Sequence, residues 1–600
     1  MRASFDSGST PLRAWGLRKG RELNTISILA HPACRSGRAR LVDQDNLLMV
    51  KKLLYLLLGL NCLACAWILA VRCSSNLDAG AFYSWESLMA YSIWKIQNHL
   101  PLYEWPQREP FALTLYNYLF YELYAYLLNR LGVSGAGILL AGRMLTLLFA
   151  CLGAGVLTSI MREACPEQTR KGTMPLAVML ASLTWLSTSY LGWHALTLRP
   201  DVAAVATACI GTLILVHGVA KHSLALVALS GLFFYGCWAQ KQSAVTLFLG
   251  ACLCLLISRK FRSLVVLASF FAIPVLVTLW VGGDQYRYNI LIAPRIVGSF
   301  SLKAAVSEWG KVIMLNLLVW VLAAVSLGKQ VRKLVVIWIN GLHETDDVSS
   351  ALTQCVMACT FVVGLPIATL LLSKEGAGKQ HLLEVFVAAS VLAFSQLAHL
   401  RVLGSKQATQ LARFAVSVLA FLWLAYPALQ MAYLLIFGSA SYGRGLATGQ
   451  FGLNSLAQLK EGKTPWHVQL ASNEQLVERK AVASELASLP KPLFIRDEVF
   501  LLPWYATGGR YPAYNPDPIY EEAAVRKGIM MRSLQQLLRQ HRFASVILQT
   551  EDAALKDALT SDYREVPAPP KIRERGFRLL VYNPDTSTAN RRNDGKSGRL

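Results

Sequence analysis

Apolar runs about as long as a bilayer is thick recur over residues 50–437, and they limit what this chain can fold into. A helix needs roughly 20 apolar residues to cross about 30 Å of hydrocarbon. Runs of that kind fall near 53–71, 136–161, 174–194, 201–220, 223–240, 243–258, 263–283, 311–328, 351–373, 381–400 and 412–437. The chain is 54% hydrophobic and 16% charged, against roughly 25% charged in soluble domains. The expected fold class is a polytopic α-helical membrane protein with about eleven spans and a small C-terminal α/β extracytoplasmic domain.

The formal net charge of +23 is read as a topology signal rather than as a nucleic-acid footprint. With Lys51 and Lys52 inside, alternate loops are basic: Arg162, Arg170 and Lys171; Lys221; Arg259, Lys260 and Arg262; Lys329, Arg332 and Lys333; Arg401, Lys406 and Arg413. That is the bias expected of cytoplasmic loops. It places the N-terminus in the cytoplasm and the protein in the cell (inner or plasma) membrane. The register holds only if 111–130 does not cross. That stretch mixes Asn117, Glu122 and Asn129 with five tyrosines, a composition suited to the interface.

Residues 1–48 are polar, basic and aperiodic, and are read as a disordered or non-native extension ahead of Met49. Residues 49–437 form the transmembrane domain, with a long first outer loop at 73–134. Residues 438–585 form the outer domain, in which Pro492 to Arg496, Phe543 to Gln549 and Arg578 to Tyr582 read as strands and Ser533 to His541 as a helix. Residues 586–600 are read as a disordered tail. Nine of the twelve cysteines lie inside apolar runs, where they act as small hydrophobes, and the outer domain has none.

Under this register, ionisable residues at helix ends gather on the outer side: Asp78, Glu86, His194, Arg199, Asp201, Lys241, Asp284, Arg287, Lys374, Glu375, Lys379 and His381. Ionisable groups at membrane depth are costly and tend to mark functional cavities. Each also has a plainer reading. Lys241 can snorkel to the interface; Arg199 and Asp201 can form a local pair behind Pro200 at a helix start. Glu86 can sit on an interfacial helix, and Lys379 and His381 in an ordinary loop. An outward basic cluster facing an acidic loop suits transfer from a lipid-linked phosphosugar. Cations would stabilise the leaving phosphate, and a carboxylate would take the proton from the attacking hydroxyl.

Several motifs, in order, resemble the GT-C superfamily of integral membrane glycosyltransferases, in particular bacterial members related to family 39 and the Rgt-type transferases. They are Ser75-Asn-Leu-Asp78, His99-Leu-Pro-Leu-Tyr103, Leu115-Tyr-Asn-Tyr-Leu119, Gly142-Arg143, Leu198-Arg-Pro-Asp201, Gln240-Lys-Gln242, Phe494-Ile-Arg-Asp-Glu and Thr507-Gly-Gly-Arg510, followed by Asn515-Pro-Asp517. His99 stands where these proteins usually have glycine, and Asn117 falls where prolines are common. The resemblance implies a polyprenyl-phosphate monosaccharide donor, an extracytoplasmic acceptor (lipid, glycan or protein) and inversion at the anomeric carbon. It implies Asp78 as the catalytic carboxylate with Glu86 as the alternative. Arg199, Lys241, Lys379 and His381 would contact the donor phosphate, with Asp201 and Arg287 in support. No cofactor is expected; a divalent metal stays open as an alternative, but no His/Asp cluster with clear ligand spacing indicates one. Membrane lipids are the expected surroundings and nucleic acid is not an expected partner.

The rival class is a transporter or flippase of lipid-linked saccharide, which would also gather charge in an outward cavity. Such proteins usually show internal repeats and paired broken helices, and neither is evident in this sequence. A ligase acting on lipid-pyrophosphate glycans would want outer cations without this order of motifs. In a membrane scaffold the same charges would be solvated faces.

Overall fold

The computed structural model describes residues 84–403, apart from 107–112, 136, 183, 186–193, 196, 297–299, 316, 341–346 and 375–378. Further on it describes 484–486, 488–490, 492–495, 527, 534–549, 563–574 and 577–583. The first and last expected spans, the extension before Met49, Asp78 and the C-terminal tail lie outside the described residues.

Helix α1 (Ser84–Gln97) is followed by α2 (Tyr118–Arg130), α3 (Gly137–Glu163), α4 (Glu167–Ser182), α5 (Pro200–Ala220), α6 (Leu224–Gln240), α7 (Thr246–Ile257) and α8 (Phe261–Val281). Three short helical pieces, Gly283–Arg287, Tyr288–Ile292 and Ala293–Ile296, precede α9 (Leu302–Leu315), α10 (Leu317–Asn340) and α11 (Val348–Leu372). A 3-10 turn at Lys379–Leu382 leads into α12 (Leu383–Leu403). Five helices among the described residues are long and apolar enough to cross a membrane: Gly137–Glu163, Pro200–Ala220, Phe261–Val281, Val348–Leu372 and Gln380–Ala398. The protein is a multi-pass membrane protein. Two shorter apolar helices, Leu224–Gln240 and Thr246–Ile257, lie between them.

Helix α2 has 13 residues, about 20 Å of helix at 1.5 Å per residue, too short to cross the hydrocarbon. It buries Phe120, Tyr121, Tyr124, Ala125 and Leu128. Tyr121 donates to Met89 Sδ at 3.2 Å, and Tyr124 and Thr146 share a hydrogen bond of 2.9 Å. Expected span 311–328 comes out differently: α10 begins at Leu317 and continues through Lys329, Arg332 and Lys333 to Asn340. Lysine and arginine are good helix formers, and no proline interrupts the run.

Membrane helices gain little from hydrophobic burial against one another, so close approach relies on small residues. The seam between α7 and α11 shows it: a Cβ on Gly250 would lie 2.5 Å from Thr360 Cα. One turn along, Cys254 and Cys355 face each other with their sulfurs 2.7 Å apart.

Near the C-terminus four strands, β1 (Leu493–Ile495), β2 (Ser545–Gln549), β3 (Tyr563–Val566) and β4 (Phe577–Tyr582), form a sheet in the order β1-β2-β4-β3. β1 and β2 are parallel and the other pairs antiparallel. Three of these strands match sequence expectations; β3, which reads Tyr-Arg-Glu-Val and is polar at its centre, was not legible. Side chains alternate between faces along each strand. Val546 and Leu580 join one apolar cluster, and Ile547 and Leu579 join another. The first cluster also takes in Leu113, Tyr288, Ala293 and Ile296, so the sheet packs on the connection between α1 and α2 and on the helical pieces after α8.

Candidate functional site

Helix α5 begins at Pro200, whose fixed φ and missing N–H suit a first turn, with Arg199 as an extended N-cap residue. Helix α6 ends beside it, with Lys241 as its C-cap. Asp201 is fully buried and Lys241 is 4% exposed, and the two form an ion pair through Lys241 Nζ and Asp201 Oδ1. Arg199 Nε stands 3.3 Å from Asp201 Oδ2 without a formed hydrogen bond. The local pair allowed by the sequence therefore exists, and Lys241 joins it rather than reaching outward. These three side chains carry two positive charges against one carboxylate.

The connection between α1 and α2 arches over this cluster. Tyr116 Oη accepts a hydrogen bond from Arg199 Nη2 at 3.2 Å, and Leu115 O accepts one from Gln242 Nε2 at 2.7 Å. Asn117 donates to Trp238 O and accepts from Tyr286 Oη at 2.8 Å. Within the arch Tyr103 Oη donates to Tyr116 O at 2.8 Å, and Thr114 Oγ1 to Leu102 O at 3.0 Å. Asn289, in the π-turn Tyr288–Ile292, donates to Glu104 O at 2.8 Å and accepts from Thr114 N at 3.1 Å. The start of the arch is fixed by Lys95, which is buried and bonded to Glu104 at 2.8 Å. Burial pushes the Lys95 ammonium below the ordinary lysine value, against the opposing pull of Glu104.

His99, which replaces the glycine usual in the motif, has φ +57, the left-handed conformation that glycine adopts at little cost. It follows the last turn of α1, where Leu100 N donates back to Lys95 O at 2.8 Å.

Glu86 is fully buried and holds Arg143 through two hydrogen bonds of 3.1 and 2.6 Å, while also accepting from Leu198 N at 2.7 Å. It thus ties α1 and α3 to the turn that delivers Arg199 and Asp201. A Cβ on Gly142, beside Arg143, would lie 2.6 Å from Leu198 Cδ1, so α3 sits tightly on the same turn. His381, in the 3-10 turn, lies within electrostatic reach of Lys241, Asp201 and Arg199, and its buried Nδ1 has no hydrogen-bond partner. Lys379 opens the same turn. Arg287 is not drawn in: it is 44% exposed and pairs locally with Asp284 at 2.5 Å. Asp78 lies outside the described residues.

Glu384 was missed. It sits four residues past Gln380 in a run read as a plain span, and a lone carboxylate inside such a run was the available signal. It is buried and accepts from Thr246 N at 3.2 Å and Leu247 N at 3.0 Å. Among the described residues no group of three or more His, Cys, Asp or Glu side chains could hold a metal ion.

No protein-family model and no curated protein matches the chain. Solved structures do. The apo form of ArnT from Cupriavidus metallidurans is 14% identical at a TM-score of 0.50, covering 87% of this chain and 98% of that one. The same protein bound to undecaprenyl phosphate is 13% identical with a TM-score of 0.49, covering 87% and 98%. The oligosaccharyltransferase AglB from Archaeoglobus fulgidus, in complex with an inhibitory peptide and a dolichol-phosphate, is 11% identical with a TM-score of 0.39, covering 82% and 70%. At such identities the likeness speaks to architecture alone, and on the alignment that spans nearly the whole of apo ArnT the chain has the fold of that membrane protein.

Proposed function

We propose that this protein is a glycosyltransferase that moves a monosaccharide from a polyprenyl-phosphate donor to an acceptor on the outer face of the cell membrane, with inversion at the anomeric carbon. The observation that carries the reading is the buried cluster of Arg199 and Lys241 around the single carboxylate of Asp201. A net positive charge at the ends of membrane helices is costly unless an anion shares the site. The phosphate of a lipid-linked sugar arrives at that depth with its chain in the bilayer. Arg199 is suited to a bidentate grip on phosphate oxygens and Lys241 to a point charge. His381 and Lys379 supply further contacts in this proposal.

As the bond from the anomeric carbon to the phosphate oxygen breaks, charge grows on the phosphate and these cations offset it. On the opposite face of the sugar the acceptor hydroxyl attacks and gives its proton to a carboxylate, which we assign to Asp78. Glu86, bound to Arg143 and Leu198 N, is assigned a positioning role for the Leu198 to Asp201 turn. Arg287, exposed and paired with Asp284, supports the outer surface rather than the phosphate. In this topology the N-terminus is cytoplasmic and the sheet near the C-terminus is outside.

The test is to incubate the purified protein with a panel of polyprenyl-phosphate sugars and acceptor glycans, lipids and peptides, and to follow release of the free lipid phosphate. Release with at least one sugar is expected. Intact donor with every sugar and acceptor, in protein that is folded, would overturn the proposal.

A further inference from the structure

Helices α6 and α7 are two short apolar pieces separated by the turn 241–245, and this turn carries Lys241. Several bonds define it. Lys241 N donates to Cys237 O at 3.0 Å, Ala244 N to Lys241 O at 2.9 Å, and Cys237 Sγ to Ala244 O at 3.2 Å. On the far side of the turn, α7 starts at Thr246 behind Val245, which offers no side-chain cap. The unpaired N–H groups of a first helical turn need acceptors. Glu384 provides them from another helix, one carboxylate oxygen for Thr246 N and the other for Leu247 N. A carboxylate there also meets the positive end of the helix dipole.

Glu384 stands two residues past the turn Lys379–Leu382 that holds His381. One buried carboxylate therefore links the two elements that carry Lys241 and His381. We propose that Glu384 is the positioning residue of the donor site: it fixes the 241–245 turn against the 379–382 turn and so sets where the Lys241 ammonium stands relative to Asp201 and His381. Its place in a donor site rests on the function proposed above; the geometric link between the two turns does not.

Glu384→Gln tests it. The amide keeps one acceptor oxygen but turns an N–H donor toward a backbone N–H, so one of the two bonds is lost and a donor faces a donor. In folded protein, checked by thermal unfolding, we expect Lys241 to leave its protected pairing with Asp201. Its labelling by an amine-reactive acyl ester, read on the Lys241 peptide by mass spectrometry, should rise several-fold. Affinity for a short-chain polyprenyl phosphate should weaken by about tenfold, the equivalent of one lost charge-assisted hydrogen bond. Glu384→Asp, which keeps the charge but withdraws it by one methylene, should lie between, and it decides the matter if the glutamine variant does not fold. A folded variant with Lys241 labelled no faster than in the parent protein would overturn the inference, even if its unfolding temperature fell, since that is a purely structural cap. If the parent protein itself binds no polyprenyl phosphate, the proposed function fails while the labelling result still decides the positioning role.

Discussion

Lys241 and Asp201 meet as a buried ion pair where α6 ends and α5 begins, with Arg199 on the other oxygen of the same carboxylate. Two cations thus depend on one anion in a setting nearly closed to water, and the consequences of removing either sign differ.

Asp201→Asn leaves both cations buried without a counter-charge. Breaking a buried pair in this way costs about 3–5 kcal/mol. Lys241→Met in the same background should restore part of the loss, because it removes one of the stranded charges. Thermal unfolding of the three proteins in one detergent checks this. A single Asp201→Asn variant as stable as the parent would refute it.

Lys241→Ala should raise KM for the lipid donor and leave KM for the acceptor near its parent value, because the side chain faces the phosphate side of the proposed site. Steady-state kinetics with each substrate varied in turn separate the two. An unchanged donor KM beside an altered acceptor KM contradicts the phosphate role.

Asp78→Asn should abolish transfer while membrane insertion and donor affinity persist, since the amide cannot take the proton of the attacking hydroxyl. Release of lipid phosphate and equilibrium binding of the donor are the paired measurements. Full activity in this variant removes Asp78 from the catalytic assignment.

His99→Gly should stabilise the protein by about 1 kcal/mol, because the left-handed conformation that strains a side-chain-bearing residue suits glycine. The φ of +57 at this residue is the basis. Denaturation midpoints compared under one set of conditions give the answer, and a destabilised glycine variant would mean the imidazole makes a contact worth more than the strain.

Gly250→Ala should destabilise by about 1–3 kcal/mol or more, as overpacking does in a tight core. The added methyl would meet Thr360 backbone atoms, at 2.5 Å from Cα and 2.6 Å from N, and backbone cannot rotate aside as a side chain can. Because α7 follows the Lys241 turn directly, donor affinity should fall as well. A variant with parent stability would show that α7 and α11 separate at little cost.

Much of this architecture was legible in the sequence. Runs of apolar residues of bilayer length located the helices 137–163, 200–220, 261–281 and 348–372 to within a few positions, because hydrocarbon permits little else there. Tyrosines mixed with Asn117, Glu122 and Asn129 set 111–130 apart from the apolar runs, and the helix within it, α2, has 13 residues. The pairing of Arg199 with Asp201 could be read from their spacing around Pro200. What spacing could not decide was which distant groups share a charge. Lys241 reaches Asp201 across 40 residues, Arg143 reaches Glu86 across 57, and Glu384 reaches Leu247 across 137. The low dielectric of the interior obliges each buried charge or free N–H to find a partner, but the partner is chosen by how helices α1, α3, α5, α6, α7 and α12 pack. Composition and periodicity determined that the chain would be a bundle of membrane helices with ionisable residues at their ends. Tertiary packing alone decided which of those ends meet, and so which residues make up the site.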